Sequence, residues 1–149
     1  MKATISFRSA DNGDIEFLLN LRKLSMGQHL RDAGLKLTDE YHMARIQEHF
    51  KDSSIIMCNG QDIGLLKLGV LPQSLHIRQF QLMPEFQGKG IGARVLELVK
   101  RRAFKLRLPV TLNVLHKNPA KHLYERHGFV VESENKLEYA MCCPLPQNG

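Results

Sequence analysis

Residues 81–102 read QLMPEFQGKGIGARVLELVKRR, with glycines at 88, 90 and 92 between a strand-like and a helix-like pattern. The first amides of a helix have no internal partner, and the helix dipole favours negative charge beside them. Glycine lets the backbone take positive φ and brings its amides close to an anion. Lys89 adds a cation to the same turn. Residue types in this order are suited to gripping a phosphate or diphosphate.

Three phosphate motifs compete for the turn. A P-loop needs a glycine five residues before Gly88 and Ser or Thr after Lys89, but Met83 and Gly90 stand there. The dinucleotide fingerprint fits as Gly88, Gly90 and Ala93, yet no Asp or Glu lies between Glu97 and Glu125 to meet a ribose. It also requires a parallel βαβ start, whereas hairpins precede this turn. The third pattern is Gln or Arg, two residues, Gly, one residue, then Gly or Ala; it is met by Gln87, Gly90 and Gly92. About thirty residues on, NPAKHLYERHGF (Asn118–Phe129) supplies a second motif in the expected order.

On these two segments the chain resembles the GNAT superfamily of N-acetyltransferases over about residues 53–132. The resemblance implies acetyl-CoA as cosubstrate and a primary amine as acceptor, joined by direct attack in a ternary complex. It implies that the strand ending at Met83 splays from its neighbour. The unpaired backbone of Leu82 and Met83 would meet the pantetheine arm, with the Leu82 N–H on the thioester carbonyl. The N–H groups of Gln87, Gly88, Lys89, Gly90, Ile91 and Gly92 would hold the diphosphate, and Asn118 and Tyr124 the far side of the cofactor. Tyr124 is the expected proton donor to the departing thiolate, the alternative being a ring packed in the core. Many relatives carry a glutamate base on the strand before the loop; Gln79 and Gln81 occupy that strand here and cannot serve. His116 is the candidate base by its ordinary pKa, with a water relay equally tenable. His29, Tyr41 and His42, on the first two helices and their linker, are the candidate acceptor contacts, each also explicable as a solvated surface residue.

These residues need elements to position them. ISFR (Ile5–Arg8) alternates as a strand, Asp11 caps a helix over 12–26, and a polar stretch around Gly27 and Gly34 interrupts. A second helix opens at Thr38 with Met43, Ile46 and Phe50 on one face. Ser53–Cys58, Ile63–Leu71 and Leu75–Met83 form a meander, its first turn marked by Asn59-Gly60. Ile91, Val95, Leu98, Val99, Arg102 and Leu106 make a helical stripe stopped by Pro109. A strand Val110–His116 follows. A helix Asn118–Gly128 then has Asn118 as N-cap, Pro119 first and Gly128 as the stop. A last hairpin turns at Glu134 and Asn135. The expected fold is α/β, a single domain over 1–149 with a mixed, largely antiparallel sheet flanked by helices, in the order β-α-α-β-β-β-α-β-α-β-β.

Composition sets the remaining limits. The 149 residues, 43% hydrophobic and 24% charged, suit one globular domain. A net charge of +6 suits an anionic ligand without choosing among them. Three cysteines, two of them adjacent, make a poor disulfide framework and point to a reducing, cytoplasmic setting. No apolar run is long enough for a membrane span. Seven histidines lack metal-ligand spacing, so no metal is expected. The basic cluster Lys100–Arg107 lacks an aromatic platform, which leaves nucleic-acid binding a minor alternative beside a non-catalytic acyl-CoA sensor. An edge strand near the C-terminus offers a surface for pairing two chains.

Overall fold

A computed structural model describes residues 3–35 and 37–146; the expected domain limits, 1 and 149, lie outside them. The elements are β1 (Ile5–Ser9), α1 (Ile15–Asp32), α2 (Asp39–Gln47), β2 (Ser53–Cys58), β3 (Gln61–Val70), β4 (Leu75–Leu82), α3 (Ile91–Leu106), β5 (Val110–Leu115), α4 (Ala120–Arg126), β6 (Val130–Glu134) and β7 (Glu138–Cys143). This is the order expected from the sequence. The seven strands hydrogen-bond in the order β1-β2-β3-β4-β5-β7-β6. β4 and β5 run parallel, while the β1–β2, β2–β3, β5–β7 and β6–β7 ladders are antiparallel. By contacts the chain divides into two compact units: one holds the described residues up to Leu68 with Gln79–Gln87, the other Gly69–Arg78 with those from Gly88 on.

In the first unit, Asp11 forms a capping box with Asp14 at a short 3-10 turn, Asn12–Asp14, that leads into α1. Asp14 also takes a two-pronged ion pair from Arg8 at 2.8 and 2.9 Å. The helix does not stop near residue 26 as expected; it continues through Gly27, which is buried within it. It ends where Gly34 takes φ +77 and the amides of Gly34 and Leu35 bond Arg31 O and Leu30 O, a Schellman closure. A glycine inside a helix costs only about 1 kcal/mol, less than the burial that α1 gains through Leu18, Leu21 and Leu30. Thr38 caps α2 through the Tyr41 amide, as expected. Leu18, Leu21, Ile46, Ile55 and Leu65 form the core of this unit, with Met43 and Met83 packed against it. Lys67 is buried in β3, and its ammonium donates to Arg45 O, Ile46 O and Glu48 O at 3.1, 3.1 and 2.7 Å. A cation thus closes the C-terminal end of α2, where the dipole is negative.

In the second unit, α3 buries Ile91, Val95, Leu96, Val99 and Ala103. Leu98 and Leu106, expected on the buried stripe, are exposed. With 3.6 residues per turn, 91-95-99-103 is the tighter repeat, and Leu96 flanks it. The helix stops at Arg107, which is left-handed at φ 58, two residues before Pro109. α4 begins at Ala120, and Asn118 Oδ1 accepts the Ala120 amide at 2.9 Å, so Asn118 caps from one position farther out than expected. The last hairpin turns at Asn135, whose Oδ1 accepts the amides of Leu137 and Glu138. Among the described residues no helix is long and apolar enough to cross a membrane, and no group of three or more His, Cys, Asp or Glu is placed to hold a metal ion.

Candidate active site

The glycine turn leads into the N-terminus of α3. Gly88 and Gly90 both have positive φ, +73 and +82, and a Cβ built on either would meet nothing within 4 Å. The loop is exposed and leads directly into the 16 residues of α3. The amides of Gly88, Gly90, Ile91 and Gly92 make no hydrogen bond among the described residues. Four backbone donors at the positive end of a long helix can bind a diphosphate.

Gln87 departs from the expectation that its amide joins them. Its N–H donates to Pro84 O at 3.1 Å, closing the 3-10 turn Pro84–Phe86, and its side-chain amide donates to Leu82 O at 3.0 Å. Gln87 therefore braces the end of β4. Met83 is a second departure: its N–H donates to Ile63 O of β3 at 2.8 Å, and its carbonyl accepts from the Phe86 amide at 2.9 Å. The Met83 N–H is therefore engaged within the sheet, and its carbonyl keeps one lone pair. Antiparallel pairing explains this, since alternate residues of a strand face opposite edges. With Met83 turned to β3, the Leu82 N–H faces the other edge. The parallel ladder of β4 covers Leu75, His76 and Ile77, so Leu82 lies beyond it.

In the second unit, Tyr124 is buried on α4, its ring edge-on to Phe129 with centroids 5.7 Å apart. Its hydroxyl has no hydrogen-bond partner among the described residues. Burial pushes its pKa up to about 12, which keeps the phenol protonated. Asn118 Oδ1 is spent on the α4 cap, which leaves its side-chain N–H groups as the part able to reach a ligand. His116 follows β5 directly, and its ring packs on Tyr139 of β7 with centroids 4.5 Å apart. Its Nε2 stands 3.6 Å from a Glu134 carboxylate oxygen, beyond hydrogen-bond reach, and is buried without a partner. The ring is thus turned to the β6–β7 hairpin.

The three acceptor candidates separate. His29 is half-buried on α1 with no side-chain bond among the described residues. Tyr41 and His42 adjoin at the start of α2, rings 5.8 Å apart. His42 is not a solvated surface residue: it is 1% exposed, and its Nδ1 accepts from Arg22 Nε at 3.1 Å. Burial, then the Arg22 and Lys23 cations, hold its pKa below the usual histidine value. Arg22 itself was missed as a functional candidate, although it sits one residue after Leu21 on the apolar side of α1. An arginine in an apolar stripe was the available signal. Gln79 and Gln81 are buried on one face of β4, and the Oε1 of each lacks a partner.

The GNAT acetyltransferase domain pattern matches residues 51–131. Spermidine N(1)-acetyltransferase of Escherichia coli K12 is 30% identical over 117 residues, which cover 72% of this chain and 60% of that protein. The chain thus spans about 60% of the length of the curated relatives it matches. Among solved structures, an acetyltransferase from Thermus thermophilus superposes with a TM-score of 0.76 at 20% identity, covering 95% of this chain and 97% of that one. The PaiA N-acetyltransferase from Thermoplasma acidophilum, solved with coenzyme A, gives 0.74 at 19% identity, covering 95% and 99%. These likenesses show a shared fold. With the domain pattern matched over more than half its length, the chain belongs to the GNAT acetyltransferase family.

Proposed function

We propose that this protein is an N-acetyltransferase that passes an acetyl group from acetyl-CoA to a primary amine in one direct step. The reading rests above all on the four unbonded amides at Gly88, Gly90, Ile91 and Gly92 heading α3, in a chain of this family. They hold the diphosphate, assisted by the Lys89 charge. The Leu82 N–H donates to the developing oxyanion of the thioester carbonyl; such a donor contributes about 2.7–4 kcal/mol at comparable sites. Asn118 meets the cofactor through its side-chain N–H groups.

The amine nitrogen attacks the carbonyl carbon, a C–N bond forms, the C–S bond breaks, and CoA leaves as thiolate. Tyr124 gives that sulfur its proton or a hydrogen bond. Its pKa near 12 suits a donor that stays protonated until the thiolate forms. The amine must shed a proton before it attacks, and no carboxylate stands at Gln79 or Gln81. With the His116 ring held on Tyr139, a water relay takes that role and His116 is the lesser candidate. His29 and Tyr41 border the acceptor side, where spermidine, the substrate named for the E. coli relative, belongs among the amines to be tried. The residues from 1 to 149 act as one transferase domain. The free cysteines Cys58, Cys142 and Cys143 suit a reducing cytoplasm, and β6, an edge strand, is the surface for pairing two copies.

Release of free thiol from acetyl-CoA across a broad amine panel tests the proposal. Thiol release with an acetylated product supports it. Tight CoA binding with no turnover on any amine would instead make the chain an acyl-CoA sensor.

A further inference from the structure

The first unit buries a cation that no described residue neutralises. Arg22 is 3% exposed. Its Nε donates to His42 Nδ1 at 3.1 Å, and its guanidinium carbon stands 5.9 Å from the centre of the Tyr41 ring. The other N–H groups of its fork make no hydrogen bond among the described residues. Of the carboxylates nearest in sequence to its neighbours, Asp39 pairs with Lys23 at 2.7 Å, Glu48 pairs with Arg45 at 3.3 Å, and Glu40 is exposed and makes no ion pair with Arg22. Burial, and after it the Arg45 cation, lowers the Arg22 pKa to about 10, with Tyr41 acting the other way. The guanidinium is still charged at neutral pH. A buried charge without a counter-ion is strongly unfavourable and calls for a partner.

Unpaired acceptors stand in the same unit. Gln79 Nε2 donates to Arg45 O at 2.9 Å, which fixes the orientation of that amide, since the carbonyl can only accept. Its Oε1 and that of Gln81 are buried and lack partners. Gln81 directly precedes Leu82. The unit therefore offers a planar cationic fork, which matches a carboxylate two-on-two, and two amide oxygens able to accept from an amine.

We propose that the acceptor amine carries a carboxylate, as an amino acid does, and that Arg22, oriented by His42 and Tyr41, binds that carboxylate. The inference rests on the acetyltransferase reading and narrows it. A polyamine is disfavoured, because Arg22 and Arg45 would repel its charges.

The test uses the full chain and pairs of acceptors differing only at the carboxyl group: amino acids, their carboxamides, and spermidine. The wild type should prefer the acid over its carboxamide at least tenfold in kcat/KM. Arg22→Met should erase that preference mainly through KM and leave CoA affinity unchanged, with any drop in melting temperature confined to the loss of the donor to His42 Nδ1. Arg22→Lys should restore part of the preference. An α-hydroxy acid, which has no amine, should raise the melting temperature of the wild type and not that of Arg22→Met.

Equal use of acid and carboxamide by the wild type, or a preference for spermidine, overturns the inference and leaves the transferase reading intact. So does an Arg22→Met variant that melts lower and loses all acceptors equally, since that marks Arg22 as structural. Hydroxy-acid protection that depends on Arg22, with no amine acetylated, supports the carboxylate site and defeats the transferase reading. If Arg22→Met does not fold, the wild-type acid-to-carboxamide ratio and hydroxy-acid protection decide alone.

Discussion

Replacing Gly90 with alanine separates the backbone's conformational role from its binding role. Gly90 has φ +82, and a Cβ there meets nothing within 4 Å. The cost to folding is therefore the left-handed conformation alone, about 1–2 kcal/mol. For a chain of this size that lowers the melting temperature by about 2–8 °C. A glycine there lets an anion approach the backbone closely, and a methyl group would crowd an anion held by the neighbouring amides. If it displaces the diphosphate from two of them, at about 1.5 kcal/mol for each charged hydrogen bond, the loss is about 3 kcal/mol, or more than 100-fold in Kd. Gly34 provides the control. It has φ +77 at the end of α1, also with nothing within 4 Å of its Cβ. Gly34→Ala should lose a similar amount of stability and bind CoA as the wild type does. Titration calorimetry with CoA, beside thermal melts of all three proteins, reads both quantities. If Gly90→Ala melts like Gly34→Ala and keeps wild-type CoA affinity, the amides at the head of α3 do not hold the diphosphate.

Tyr124→Phe should lower kcat by about 10²-fold or more and CoA affinity by much less, as expected for a proton donor; wild-type turnover in that variant would remove the hydroxyl from the mechanism. With the Tyr124 pKa near 12, wild-type kcat should show no tyrosine ionisation limb between about pH 8 and 11, and a fall in that window would contradict the burial. His42 has its pKa lowered in the folded state, so the unfolded chain binds the proton first as pH falls. Its contribution is full above about 6.5 and lost on acidification below that. Denaturant melts at about pH 7.5 and 5.5 should show a smaller acid loss for His42→Gln than for the wild type. Some loss should persist through His76, which burial shifts the same way. Lys67→Met leaves the carbonyls of Ile46 and Glu48 without that donor. It should destabilise by at least about 2 kcal/mol in denaturant melts; a neutral effect would mean that water satisfies them.

Local chemistry made much of the molecule legible. The Asp11 box, the Thr38 cap, the Asn118 bond to Ala120 and the Gly88 and Gly90 turn each depend on residues within a few positions of one another. Hydrophobic period placed strands and helices in the right order. It missed where long-range packing outweighed propensity. The polar stretch at Gly27 reads locally as a break in α1, but burial carries the helix across it to Asp32. Leu98 and Leu106 fit the helical stripe by spacing, yet α3 presents a face that leaves them exposed.

The site divides along the same line. From sequence alone, the glycine turn heading a helix, the tyrosine on α4 and the family pattern were determined, because each is written in contiguous residues. Only the tertiary structure decided which groups remain unpaired. Met83 loses its amide to Ile63, some twenty residues away in the chain, and Gln87 turns inward to Leu82, while Gly88, Gly90, Ile91 and Gly92 keep theirs. Arg22 and His42, polar residues with no motif around them, become a buried pair because α1 and α2 pack together. A hydrogen bond or counter-ion is consumed by whichever partner folding brings near, and that partner is set by packing between segments far apart in sequence.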